Sequence, residues 1–153
     1  MSKNSLVPAP NGNLIYGYVE GRTVGDLTIE EGPVFLREGT GAFGQKHIWR
    51  RHGRELEKAG YIGIDSVPRY VAEILLHDTP VSHEGLAPWE DSKLFAIRSA
   101  IGYAVLMPMP IMGYECAYSV TTAYKRGQTG AKRMSRIIVC CTCRVAPCVC
   151  VEA

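Results

Sequence analysis

Residues 41–60 read GAFGQKHIWRRHGRELEKAG, a glycine-loosened entry followed by a cationic segment that carries two of the four histidines. The spacing predicts a helix with two distinct faces. With His47 at the origin of a helical wheel and about 100° per residue, Arg51, Arg54 and Lys58 fall within about 40° of it, and Arg50 lies about 60° away. Ile48, Trp49, His52, Leu56 and Ala59 occupy the opposite arc, from about 100° to about 200°. His47 therefore sits among cations one turn into the helix, and His52 sits in the apolar seam.

Positive potential from the arginines and from the helix N-terminus favours the neutral form of His47, which is the form that accepts a proton near neutral pH. The same arginines attract a phosphodiester, so one face would both bind and activate. Read blandly, this is a solvated basic face, and His52 is a core-facing histidine whose nitrogens meet backbone or water.

The rest of the composition is permissive. At 153 residues, with 46% hydrophobic and 21% charged, the chain suits one domain with a buried core. A net charge of +2 announces no polyanion partner, but cations cluster at 46–58 and again at 125–136. No run of about 20 apolar residues predicts a transmembrane helix. The start, MSKNSLVPAPNGN, lacks the apolar core of a signal peptide. The expectation is synthesis in the cytoplasm, with delivery by a phage or a specialised secretion system compatible with it, and no membrane partner.

In order, residues 1–13 predict a flexible arm. LIYGYV at 14–19 and GPVFLRE at 32–38 predict strands. The glycines of EGTGAFG lack the Gly-Lys-Ser/Thr ending of a phosphate-binding loop. After the first helix, Ser66 predicts an N-cap. In SVPRYVAEILLHD the residues Val67, Tyr70, Val71, Ile74 and Leu75 recur at i, i+3, i+4, i+7 and i+8, a core-facing stripe. His77 and His83 read as surface residues. KLFAIRS and GYAVLM predict strands, which Pro108 and Pro110 break. In GYECAYSVTTAYK, strict alternation puts Tyr114, Cys116, Tyr118, Val120, Thr122 and Tyr124 on one face. IIVCCTC predicts a closing strand.

The order of these pieces (VFLREGTG, a GAFG turn into HIWRRHG, a second helix, FAIRS, and a strand ending TTAY) resembles the phage-associated nucleases of the barnase, EndoU, colicin tRNase and RelE superfamily. The resemblance spans residues 14–140 and leaves 141–153 as a cysteine-rich tail. It implies an α+β fold: two N-terminal helices packed on a curved antiparallel sheet of about four strands. It implies an endoribonuclease, associated with a toxin or a phage, that cuts RNA phosphodiesters by 2′-hydroxyl attack without a metal or other cofactor. The site it implies has His47 as base with Arg98, Thr122 and Tyr124 from the strands. His52 and Arg51 support it, and Arg50, Arg54, Lys125, Arg126, Lys132 and Arg133 hold flanking phosphates. The partners implied are RNA, with tRNA one candidate, and a cognate inhibitor or immunity protein covering the cationic face.

The residue types suit that chemistry. RNA supplies its own nucleophile and needs a base, donors for the pentavalent phosphate, and an acid for the leaving 5′-oxygen. Two other readings stand beside it. One is a non-catalytic nucleic-acid-binding module that uses the cations and ignores His47. The other is an ADP-ribosyltransferase-like toxin built on FLREGTG, although that chemistry needs a late glutamate and no late Glu-x-Glu or Gln-x-Glu pair follows. Five of the six cysteines crowd into 140–150. Cys141, Cys143, Cys148 and Cys150 could together reach one Zn²⁺ across a turn at Pro147, the alternatives being buried strand cysteines or an oxidation-prone end.

Overall fold

The computed structural model describes residues 2–25, 27–75, 79–83, 95–125 and 133–138. Four short strands come first: β1 (Gly17–Val19), β2 (Arg22–Val24), β3 (Leu27–Ile29) and β4 (Gly32–Phe35). Helix α1 (Gly44–Lys58) follows, then one 3-10 turn and helix α2 (Val67–Ile74). The chain closes with β5 (Pro80–His83), β6 (Phe95–Arg98), β7 (Tyr103–Ile111), β8 (Tyr114–Tyr124) and β9 (Arg133–Ile138).

Seven strands form a closed barrel in the order β1-β4-β8-β7-β6-β5-β9, and β2 and β3 make a separate hairpin. This overturns the expected pair of N-terminal helices on a four-stranded antiparallel sheet. Four strands precede the first helix, β4 and β8 run parallel, and β1 pairs with β9 to close the ring. Strands of three or four residues carry too little alternation to announce themselves in a sequence. Each of the seven strands has a neighbour on both sides in the ring. The parallel contact depends on Gly32, where an added Cβ would overlap the Cys116 carbonyl oxygen.

One buried cluster unites the barrel with the helices. Val19, Val34, Val81, Ile97, Leu106, Val120 and Ile137 from the strands meet Ile48 and Leu56 of α1 and the stripe Val67, Tyr70, Val71 and Ile74 of α2. Each fully buried aliphatic side chain contributes about 1.5–3 kcal/mol, so the α2 stripe anchors that helix far more firmly than its caps. Ser66 makes no capping bond; its hydroxyl donates to the Gly63 carbonyl at 2.6 Å.

Two details of the sheet differ from simple alternation. Strand β7 runs on through Pro108 and Pro110, where the sequence predicts a break, and Pro108 lies opposite Tyr118 of β8. Strand β8 carries a bulge: Val105 pairs with Thr122 while Leu106 pairs with Val120, so Thr121 is the extra residue. Its hydroxyl donates to the Val105 carbonyl at 3.1 Å. The bulge shifts the alternation by one. Tyr118, Val120 and Ala123 belong to the main core, whereas Thr122 and Tyr124 turn to the face shared with Val105 and Tyr103. The single face expected for Tyr118 through Tyr124 is thus two faces.

At the N-terminus, residues 3–7 lie along 36–39. Val7 N–H donates to the Leu36 carbonyl at 2.8 Å, Glu38 to Ser5 at 2.8 Å and Gly39 to Lys3 at 2.8 Å.

Candidate active site on the face where helix α1 meets strand β8

The parallel pairing of β4 with β8 involves only Val34 and Phe35 against Tyr118 and Ser119. Beyond Phe35 the chain leaves the sheet, turns through 36–43, and returns as α1 packed on β8. The turn is built from backbone. Gln45 N–H donates to the Arg37 carbonyl and Lys46 N–H to that of Glu38, both at 2.9 Å, which satisfies two of the free donors at the start of α1. Thr40 N–H donates to Phe43 O at 2.9 Å. Gly39 and Gly44, at φ of +78° and +82°, take conformations that side chains resist.

His47 is placed by this turn. Its Nδ1 lies 2.7 Å from the Gly41 carbonyl oxygen. A carbonyl only accepts, so Nδ1 carries the proton and donates, and in the neutral ring Nε2 keeps its lone pair. That tautomer is the one a general base acting through Nε2 requires.

Beside His47 runs a row of rings. The His47 and His52 centroids are 6.4 Å apart, edge to face. His52 leans on Tyr124 at 5.1 Å, and Tyr124 on Tyr103 at 4.9 Å. The register extends the row, because Arg98 pairs with Tyr103, which pairs with Tyr124. Direct partners share a face, so Arg98 stands two strands from Tyr124, about 10 Å at the backbone, and its side chain is exposed.

Burial depresses the His52 pKa below its ordinary value. Glu55, 3.9 Å from its Nδ1, opposes the shift, and His47 and Arg51 add to it. Thr122 shares the Tyr124 face, opposite Val105. Its hydroxyl oxygen is covered and has no hydrogen-bond partner among the described residues. A buried hydroxyl left unpaired costs about 1–3 kcal/mol.

The cations divide. Arg50, Arg51 and Arg54 are exposed on α1, and none forms an ion pair among the described residues. Arg50 reaches back over the turn: a Cβ at Gly41 would stand 2.8 Å from its guanidinium. Lys125 donates to the Ile101 carbonyl at 3.4 Å, so it bends toward the turn before β7. Arg126 and Lys132 lie outside the described residues. Arg133 begins β9, and its side chain lies outside them too, as do Cys141, Cys143, Cys148 and Cys150. No described helix is long and apolar enough to cross a membrane.

Tyr103 and the Gly41 carbonyl belong to the arrangement and carried no sequence signal of it. A strand tyrosine is ordinary, and only the register sets it between Arg98 and Tyr124. The chain was compared with protein-family models and with curated proteins, and no family model and no curated protein matches it.

Proposed function

We propose that the chain is an endoribonuclease that cleaves RNA by attack of the 2′-hydroxyl on the adjacent phosphorus. The observation that carries this reading is the bond between His47 Nδ1 and Gly41 O, which leaves Nε2 as the acceptor on a helix face rich in exposed arginines. His47 Nε2 takes the 2′-hydroxyl proton as the new O–P bond forms, and the bond from phosphorus to the 5′-oxygen breaks. Arg98 and the Thr122 hydroxyl donate to the pentavalent phosphate. Thr122 must rotate about χ1 to reach it, because its oxygen is covered in the free chain. Tyr124 stacks a nucleobase or relays a proton to the leaving oxygen, and Arg50, Arg51 and Arg54 hold neighbouring phosphates.

The ADP-ribosyltransferase reading has less support. Its arginine, Arg37, is 6% exposed and engaged within the fold rather than offered to a ligand. The test is a time course on total RNA without added metal, with the ends of the fragments analysed. New 2′,3′-cyclic phosphate ends are expected. Binding without cleavage would favour a non-catalytic module.

A further inference from the structure

Arg37 is a buried cation with no carboxylate partner among the described residues, an expensive thing for a fold to keep. Its Nε donates to the Ser119 hydroxyl at 2.7 Å and one terminal nitrogen donates to Asn4 Oδ1 at 3.0 Å. The guanidinium carbon lies 3.9 Å from the centre of the Phe43 ring. Ser119, on β8, is itself fully buried. One side chain therefore ties together the N-terminal segment, the barrel wall and the residue just before α1.

The consequence lies at the histidine. Phe43, held by the guanidinium, presents the carbonyl that closes the turn from Thr40. Gly41 lies inside that turn, and its carbonyl accepts from His47 Nδ1. The Arg37 carbonyl meanwhile accepts from Gln45 N–H, so backbone and side chain of one residue grip both ends of the turn.

We propose that Arg37 is a positioning residue for His47: through Phe43 it sets the 40–43 turn so that the Gly41 carbonyl holds the imidazole in the Nδ1–H tautomer. Packing alone does not account for an arginine here, since an apolar residue of similar volume is often neutral or stabilising where a buried charge is replaced. The cation–π contact and the two directed hydrogen bonds fix an orientation that an apolar side chain would not. The catalytic consequence rests on the nuclease reading; the geometric claim does not.

The test reads the two separately. Full-length protein labelled with ¹⁵N-histidine is compared as wild type, Arg37→Met, Ser119→Ala and Phe43→Ala, with thermal unfolding followed in parallel. Wild-type His47 is expected to show a protonated Nδ1 and an unprotonated Nε2 at neutral pH. In Arg37→Met and Phe43→Ala the ring is expected to shift toward the Nε2–H form. RNA cleavage should lose about tenfold or more in kcat with KM little changed, as for a displaced catalytic group. Phe43 is only half-buried, so its variant carries the test should Arg37→Met fail to fold. A His47 tautomer unchanged in every folded variant overturns the proposal, whatever the protein does to RNA. A tautomer that follows Arg37 in a protein that cuts no RNA upholds the positioning and removes the nuclease reading instead.

Discussion

The ring of His52 rests on that of Tyr124, centroids 5.1 Å apart, and this contact joins the cationic helix to the end of the longest strand. It explains how a histidine in an apolar seam is used: as the bridge between His47 on one side and the tyrosine pair Tyr124 and Tyr103 on the other.

Stability should depend on pH through His52. Burial holds its pKa below the ordinary 6.5, against the pull of Glu55 and with the help of His47 and Arg51, while the Tyr124 ring packs against it. As pH falls below that ordinary value the unfolded chain binds a proton that the native ring refuses, so stability declines until the native ring also titrates. His52→Phe keeps a ring against Tyr124 and removes this contribution. Urea midpoints at about pH 7.5 and about pH 5 should fall further for wild type than for His52→Phe. Parallel declines would contradict the assignment.

The turn before α1 should not tolerate a side chain at Gly39. Its φ is +78°, and a Cβ there would overlap the Phe43 carbonyl oxygen. Gly39→Ala should destabilise by about 2–4 kcal/mol, combining left-handed strain with overpacking. A chemical denaturation curve within about 0.5 kcal/mol of wild type would show that the turn has room for a side chain at this position.

The exposed arginines should act as phosphate ligands rather than as structure. Arg51→Ala with Arg54→Ala should leave thermal stability nearly unchanged, since neither forms an ion pair among the described residues. If each meets one phosphate, the slope of log affinity for single-stranded RNA against log salt should flatten by about 1.4, from about 0.7 per contact. An unchanged slope would remove both from the RNA surface.

Much of the helical half was legible in the chain. The wheel separates Ile48 and Leu56, which are buried, from Arg51 and Arg54, which are exposed, and the α2 stripe from Val67 to Leu75 is buried throughout. The reason is that a 3.6-residue period over several turns gives many independent votes. The barrel was not legible. Three-residue strands such as β1 give almost no period. The β4–β8 contact joins positions more than 80 residues apart, and its one local sign is a glycine at position 32. Nor did VTTAY disclose the bulge: Thr121 and Thr122 are both β-prone, and only the partner strand determines which of them is extra. That ambiguity decides which face Thr122 and Tyr124 share with their neighbours. The residue types of the candidate site stand in the sequence, whereas their arrangement needed the register.

The central claim concerns one imidazole, and a direct measurement of it is the initial rate of metal-free RNA cleavage by wild type and by His47→Ala, at neutral pH and matched concentration. Loss of a general base predicts a rate lower by about 10²–10⁴-fold in the variant, with RNA binding retained. Equal rates in the two proteins, or no cleavage by wild type, would contradict it.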